Sequence, residues 1–286
     1  MSFKRISPLI VFVLTAATLL FVPSCKRDRQ SSLQFICPDK SEKTQQQTFG
    51  LVVVTHGWIE KGRGYWPEDM AGQLYKHTDP NLWLCGYFDW SDGAKTINPT
   101  DAAKYARDTA GAELAAEITK LSRDWKHIHL IGHSCGCWVI SEAAKILSKQ
   151  TKADIHLTFL DAYIPPSWQE SSLGDVNTAA DVNYWADQYY TRDYTLSFTE
   201  QDLTHAHNVD VTKIDQLIKD HNFPWHWYYA TISGKFPKGK FLDNGKLVWT
   251  ADGIEYGFAR SAEADPNNWA KSLRLAVGNK AVELVK

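Results

Sequence analysis

The sequence has no surplus of basic residues, no segment of low complexity and no metal-ligand cluster of a familiar spacing. Its 31 Lys and Arg residues face 33 Asp and Glu residues, so the net charge is −2 at pH 7. Such a chain offers no basic face to a phosphate backbone, and nucleic acid is not an expected partner. His205 and His207 form a His-x-His pair that could ligate a metal, yet no Cys or carboxylate cluster completes it. We therefore expect no metal and no cofactor.

Long apolar runs are also missing, apart from one near the amino terminus. Two basic residues precede an apolar run over residues 8–22, which is too short for a comfortable membrane span and predicts a targeting signal over residues 1–24. The ending Val-Pro-Ser-Cys resembles a bacterial lipobox, in which Cys25 becomes the lipidated first residue. Removal of the signal leaves 29 basic against 33 acidic residues, a net charge of −4. We expect an exported protein, either tethered to the cell envelope through Cys25 on the periplasmic or outer-membrane side, or secreted.

Cysteines are few, and none follows residue 137. An exported chain enters a compartment that permits disulfides, where Cys37 and Cys85 could pair. Cys135 and Cys137 lie too close together on a helical start to bridge each other readily, so we expect them to pack in the core.

One large domain is the default for a chain of 286 residues of which 44% are hydrophobic. Residues 25–48 are polar and rich in Gln, which predicts a linker, and residues 49–286 then form an α/β domain. Apolar runs rich in β-branched residues predict strands of a parallel sheet, and segments of helical period lie between them. The predicted elements are strands at 49–55, 81–90 and 154–160, and a long helix from Thr100 or Asp101 to about Leu121. The aromatic range of about 166–220 lacks clear periodicity and predicts, in part, a cap-like insertion.

The strongest chemical signal is a Gly-x-Ser-x-Gly motif formed by Gly132, Ser134 and Gly136. An apolar run of strand type precedes it and a helical segment follows it, so we expect a sharp turn that lifts the Ser134 hydroxyl above the sheet. Glycines on either side allow the chain to pass closely. The N–H of Cys135 would then lie at a helix N-terminus and could face a developing oxyanion. The motif alone arises by chance about once in ten such chains, and its placement is what makes it specific.

Two other strand ends carry candidate groups at the same predicted edge of the sheet. His56-Gly57-Trp58 follows the first strand, and Gly57 lets the backbone turn inward so that the Trp58 N–H can act as a second oxyanion donor. Asp161 follows the strand that ends at residue 160. These positions place an oxyanion turn and an acid beside the serine.

Serine, aspartate and histidine occur here in the chain order of an α/β-hydrolase triad. A serine is a poor nucleophile at neutral pH and needs a nearby base, which in turn needs a carboxylate to set its tautomer. We assign Ser134, Asp161 and His221, the last of them on a loop before an aromatic helix. These residues predict acyl transfer through a covalent acyl-enzyme.

Other residues of the same types remain alternatives. Asp187 or Asp193 could supply the acid if it followed a later strand. His226 falls within the aromatic helix and suits packing better than base catalysis. His56 and His133 flank the proposed oxyanion groups, and we expect them to be hydrogen-bonded structural residues.

The chain resembles the pancreatic lipase family over roughly residues 50–235. The resemblance lies in five stretches that occur in the family's order: His56-Gly57-Trp58 with Lys61, Gly62 and Trp66; Asp89-Trp90 followed by residues 110–115; Gly132-His133-Ser134; Leu160-Asp161-Ala162 with Pro165; and His221 with Tyr228, Thr231 and Ile232. Two positions depart from the family pattern, because Cys135 stands where Leu is usual and Ala162 where Pro is usual.

The resemblance implies an α/β-hydrolase fold, with a mostly parallel central sheet and helices on both faces. It also implies a serine hydrolase that cleaves small-molecule or lipid esters. The disulfide-bounded lid and carboxyl-terminal lipid-binding domain of many members are not expected here, so triglyceride preference and interfacial activation do not follow. An inert lipase-fold protein that uses the pocket for binding, and a triad hydrolase of thioesters or amides, are the alternatives.

Overall fold

A computed structural model of the chain describes residues 31–36, 50–78, 82–177, 184–192, 198–212 and 221–233. The predicted signal segment, Cys25, Cys37 and Asp193 lie outside the described residues. No helix among the described residues is long and apolar enough to cross a membrane.

Seven strands form one sheet in the order β1-β3-β2-β4-β5-β6-β7. The edge strand β1 is antiparallel to β3, and every other neighbouring pair is parallel. The strands are β1 Ser32–Phe35, β2 Gly50–Thr55, β3 Trp83–Asp89, β4 His127–His133, β5 Asp154–Leu160, β6 Tyr184–Tyr190 and β7 His207–Asp210.

Helices cover both faces of this sheet, as predicted. They are α1 Trp66–His77, α2 Ser91–Ala94, α3 Pro99–Tyr105, α4 Gly111–Lys120, α5 Gly136–Leu147 and α6 Phe223–Ser233. The strand β2 shows the consequence, since Leu51 and Val53 pack in the cluster under α3 to α5, whereas Val52 and Val54 pack in the cluster under α1 and α6. A strand buried on both faces must be apolar throughout, which is why this sequence pattern is easy to recognise.

The long helix between β3 and β4 differs from its prediction at the start and in the middle. It begins at Pro99, and the Asn98 side chain accepts the Asp101 N–H at 2.9 Å, so the predicted N-cap at Thr100 or Asp101 is wrong. Proline suits the first turn because its missing N–H would have no helical partner. A π-helical turn over Ala106–Ala110 then joins α3 to α4.

Two regions that were not predicted to belong to the sheet contribute strands to it. Residues 32–35, predicted as linker, form the short edge strand β1. Part of the predicted insertion at 166–220 forms β6 and β7. In β6 the apolar pattern is interrupted by Asp187, which is buried and accepts hydrogen bonds from Thr158 at 2.6 Å and His156 at 2.9 Å. Tertiary partners thus compensate a polar residue that a single sequence cannot assign to a core strand.

Buried imidazoles form a row across β4 and β5. The rings of His129 and His156 stack with 3.9 Å between their centroids. At the same end of the sheet, the His127 ring centroid lies 5.2 Å from that of Trp185. Burial lowers the pKa of His129 and His156 well below the ordinary value and, despite the charge of Asp154, lowers the pKa of His127 to about 4. These side chains are therefore neutral in the folded protein at neutral pH.

We expect acid to destabilise the fold through this row. In the unfolded chain each imidazole binds a proton once the pH falls below about 6.5. The contribution of these histidines to the free energy of unfolding is therefore largest above that pH. It decreases as the pH falls towards the folded-state pKa, which is about 4 for His127. The melting temperature should be lower at pH 4.5 than at pH 7.5 by at least about 5 °C. Replacing His127 with Phe should reduce this difference; an undiminished difference would contradict the explanation.

Candidate active site

Ser134 lies on a sharp turn between β4 and α5, as predicted. Its φ of 54° is left-handed, a conformation that costs energy for a residue with a side chain and is common where function requires it. The Ser134 N–H donates to the Leu160 carbonyl at 3.0 Å, which connects the turn to the end of β5. The Ser134 carbonyl accepts the Cys137 N–H at 3.1 Å and begins the following helix.

The His56-Gly57-Trp58 turn packs directly against Ser134. A Cβ at Gly57 would lie 2.8 Å from the Ser134 Cβ, and a Cβ at Gly136 would lie 2.3 Å from the His56 carbonyl oxygen. Real Cβ atoms essentially never come within 3.0 Å of another non-bonded heavy atom, so both positions require glycine for this contact. The two loops from neighbouring strands can therefore meet at the serine.

The two predicted oxyanion donors are the N–H groups of Trp58, in the turn packed against Ser134, and of Cys135, the residue that follows Ser134. Burial raises the pKa of the Cys135 thiol to about 12, although hydrogen bonds from the Ser134 hydroxyl and from both N–H groups oppose this rise. The Cys135 thiol itself donates to the Pro99 carbonyl at 3.3 Å. Two N–H groups that point to one position beside a serine hydroxyl would stabilise an oxyanion there.

The acid and the imidazole of the predicted triad form a direct pair. Asp161 is fully buried, with a φ of 49°, immediately after β5. Its Oδ2 lies 2.6 Å from His221 Nδ1, and its Oδ1 accepts the Thr191 N–H at 2.9 Å. Both carboxylate oxygens therefore have hydrogen-bond partners, and Oδ2 holds the imidazole in one orientation.

No hydrogen bond joins the Ser134 hydroxyl to the His221 ring among the described residues. His133, adjacent to Ser134 in the chain, has its ring centroid 4.7 Å from that of His221. Catalytic hydrogen bonds are often long or poorly aligned without a substrate and tighten only in the complex. The structure thus brings Asp161 and His221 into contact and places Ser134 beside them.

The alternative residues occupy other environments. Asp187 lies within β6 and is bonded to Thr158 and His156, so it is not the partner of His221. His226 is buried in α6 against Trp225, with 3.5 Å between ring centroids, which suits its predicted packing role. No group of three or more potential metal ligands occurs in the part of the chain that the structure describes, and His205 and His207 belong to none.

His56, the histidine of the oxyanion turn, is a structural residue, as expected. His56 Nε2 accepts the Trp90 N–H at 3.1 Å, and its ring stacks on the Trp90 indole. Cys135 and Cys137 are buried free thiols, in agreement with a packing role, and Cys85 is also a buried free thiol. Cys37, the partner considered for Cys85, lies outside the described residues.

Sequence reasoning missed Glu60, which lies two residues after Trp58. Its Oε2 accepts the Gly57 N–H at 2.7 Å and lies 3.2 Å from His133 Nδ1. A carboxylate in a loop ordinarily faces water, so nothing in its residue type distinguished it. Its position inside the oxyanion turn was the available signal.

We expect Gly136→Ala to disrupt the contact between the two loops. The new methyl group would displace the His56 backbone, and the free energy of unfolding should fall by about 2 kcal/mol or more, together with activity. Gly72→Ala is the matched control, because a Cβ there meets nothing within 4 Å in α1. That variant should gain up to about 1 kcal/mol from helix propensity. Urea denaturation of both variants checks the pair; equal stabilities would contradict the argument.

A mostly parallel sheet with helices on both faces, a serine on a strand-to-helix turn and an Asp–His pair at the same edge define the α/β-hydrolase fold. A family model described as Lipase matches residues 17–175, more than half of the 286 residues. The chain belongs to this family, which confirms the resemblance found in the sequence.

Proteins with similar sequences include mammalian pancreatic lipases and pancreatic lipase-related proteins. The chain is 34% identical over 97 residues to pancreatic triacylglycerol lipase of Mus musculus, which covers 32% of this chain and 20% of that one. It is 37% identical over 98 residues to pancreatic lipase-related protein 2 of Sus scrofa, and 36% identical over 94 residues to inactive pancreatic lipase-related protein 1 of Mus musculus. The shares are 33% and 32% of this chain, and 20% and 19% of the relatives. The chain spans about a fifth of the length of these relatives.

Solved structures with a similar arrangement include esterase PE8, with a TM-score of 0.38 and 14% identity over 57% of this chain and 74% of that one. A lipase/esterase from Lactobacillus plantarum has a TM-score of 0.33 and 12% identity over 57% and 77%.

Proposed function

We propose that the chain is a serine hydrolase that cleaves carboxylic esters through an acyl-enzyme. The observation that carries the proposal is the 2.6 Å contact between His221 Nδ1 and Asp161 Oδ2, at the sheet edge that holds the strained Ser134. A buried carboxylate on Nδ1 keeps the imidazole proton there and leaves Nε2 free to accept another. Membership in the Lipase family supports the same chemistry.

In the proposed reaction His221 Nε2 removes the proton of Ser134 Oγ as that oxygen attacks the ester carbonyl carbon. The carbonyl oxygen becomes an oxyanion and receives hydrogen bonds from the Trp58 and Cys135 N–H groups. His221 then donates its proton to the leaving alcohol, and the C–O bond of the ester breaks. A water molecule, deprotonated by the same imidazole, releases the acid and restores the serine.

The second candidate is an inert lipase-fold protein that uses its pocket for binding. One observation favours it, because a similar protein bears the name inactive pancreatic lipase-related protein 1. Family membership alone therefore does not decide whether the chain turns over a substrate.

A fluorophosphonate probe and a substrate panel test the proposal together. The probe should label the full chain once, on the peptide that contains Ser134, and p-nitrophenyl butyrate hydrolysis should disappear in proportion to the label. A folded chain that neither reacts nor hydrolyses any ester would favour the inert candidate. The same acyl group presented as a thioester and as an anilide distinguishes the substrate classes, and we expect the ester to be cleaved faster than the amide.

A further inference from the structure

A second acid–imidazole pair lies beside the Asp161–His221 pair. It consists of Glu60, in the oxyanion turn, and His133, the residue before Ser134, with 3.2 Å between Glu60 Oε2 and His133 Nδ1. The two side chains are 14% and 2% exposed, so neither is an ordinary surface charge. The proposed mechanism gives no role to either residue.

Each member of this pair also bonds to a different part of the site. Glu60 Oε2 accepts the Gly57 N–H at 2.7 Å, which ties the carboxylate to the oxyanion turn. His133 Nε2 lies 3.1 Å from the backbone carbonyl oxygen of His221, which ties the imidazole to the loop before α6. One short chain of bonds thus connects the oxyanion turn to the loop of the general base.

The protonation state of His133 follows from the identity of its neighbours. Both ring nitrogens face acceptors, a carboxylate oxygen and a carbonyl oxygen. A neutral imidazole has only one N–H group, so both hydrogen bonds can form only if His133 is an imidazolium. Glu60 does not supply the proton near neutral pH, because its pKa is held at about 2.

The charges around His133 favour this state. It faces Glu60 from the turn after β2, Asp161 from the end of β5, the His221 ring from the loop before α6 and the edge of Trp66 from α1. Burial lowers the pKa of His133, but the charge of Glu60, the hydrogen bonds to Glu60 and the His221 carbonyl, and the charge of Asp161 raise it above the ordinary value. Burial likewise raises the pKa of Glu60, yet His133 and Gly57 hold it at about 2.

We propose that Glu60 and His133 form a pair that is ionised at neutral pH and that positions the oxyanion turn and the His221 loop relative to Ser134. Neither residue touches the reacting atoms, so both are positioning residues. This inference rests on the proposed hydrolase function. A displacement of about 1 Å in such groups can cost about 10²-fold in rate, so losing one link should lower kcat.

The kinetic test compares Glu60→Gln and His133→Gln with wild type on p-nitrophenyl butyrate. Each substitution preserves the approximate size but removes one charge, and we expect kcat to fall about 10- to 100-fold while KM changes less than about twofold. Asp187→Asn is the matched control, because it removes the charge from another buried His–Asp pair, 2.9 Å apart, in the same sheet. Its kcat should stay within about threefold of wild type at temperatures where all four proteins are folded. Near wild-type kcat in both Gln variants, or an equal loss in the control, would overturn the inference.

The pH profile separates positioning from a general loss of structure. The kcat of wild type should decline at alkaline pH as His133 loses its proton and its bond to the His221 carbonyl. In Glu60→Gln the imidazolium loses its partner, so its pKa falls and the alkaline decline should move to lower pH. An unmoved alkaline decline would contradict the ionised pair.

Nitrogen NMR of ¹⁵N-histidine-labelled full chain tests the pair without turnover. The His133 signals, assigned by their loss in His133→Gln, should show both ring nitrogens protonated at pH 7.5, and one unprotonated nitrogen would overturn the pair. Comparison of wild type with Ser134→Ala identifies failure of the proposed function itself. If their ester turnover is equal, the hydrolase proposal and the positioning role both fail, whereas an active wild type with unaffected Gln variants removes the inference alone.

Discussion

Replacing Ser134 with alanine is expected to reduce ester hydrolysis at least about 10³-fold. The substitution removes the oxygen that would form the proposed acyl-enzyme. The Cys135 thiol belongs to the next residue in the chain, but burial raises its pKa to about 12, so it cannot replace the serine as a thiolate near neutral pH. The residual rate should reflect only polarisation of the carbonyl by the two N–H groups.

The measurement is the initial rate of p-nitrophenyl butyrate hydrolysis, with the melting temperature recorded for each protein. Alanine at residue 134 experiences the same left-handed φ of 54° as serine, so the backbone cost of the turn is retained. Ser172→Ala is a matched control, since that hydroxyl donates only to the Gln169 carbonyl at 2.7 Å, in a surface turn. Equal rates in Ser134→Ala and wild type would eliminate the hydrolase proposal.

Replacing Asp161 with asparagine is expected to lower kcat by about 10³- to 10⁴-fold. The asparagine oxygen can still accept the Thr191 N–H, which leaves its amide NH2 group to face His221 Nδ1. That group donates, so Nδ1 must become an acceptor and the imidazole proton moves to Nε2. An imidazole with a proton on Nε2 cannot receive the serine proton, so the base is present but in the wrong tautomer.

The fold of this variant should be little changed. Asparagine tolerates the left-handed region better than most residues, and Asp161 has a φ of 49°. The kcat/KM measured from pH 6 to 10 should therefore stay low although the protein remains folded by circular dichroism. Asp187→Asn again supplies the comparison, because it changes a buried carboxylate that contacts His156 instead of His221. A kcat near that of wild type in Asp161→Asn would show that the acid lies elsewhere.

The elements that could be predicted are those whose pattern is local. The strand Asp154–Leu160 has the bounds that its apolar run indicated, and the Ser134 turn lies where a strand pattern changes to a helical one. A buried parallel strand must be apolar on both faces, so its signature survives without any knowledge of its neighbours. Asp161 could be placed at the sheet edge for the same reason.

The elements that could not be predicted depend on partners distant in sequence. The strand β6 contains Asp187, whose burial is compensated by residues of β5, and β1 is an edge strand of four residues with a polar composition. The N-cap of α3 was misplaced by two or three residues because Asn98 competes with Thr100 and Asp101 for the same role. In each case the local signal was weak or shared.

The sequence by itself determined the order of the strands' apolar runs, the serine turn and the chain order of the three candidate catalytic residues. Each run, turn and candidate residue is recognised from the few residues on either side of it. Only the tertiary structure decided that Asp161 and not Asp187 meets His221, and that Glu60 and His133 join the oxyanion turn to the same loop. These two pairings join residues that are separated by 60 and 73 positions in the sequence. Their energies depend on burial and on distances that only the folded sheet imposes.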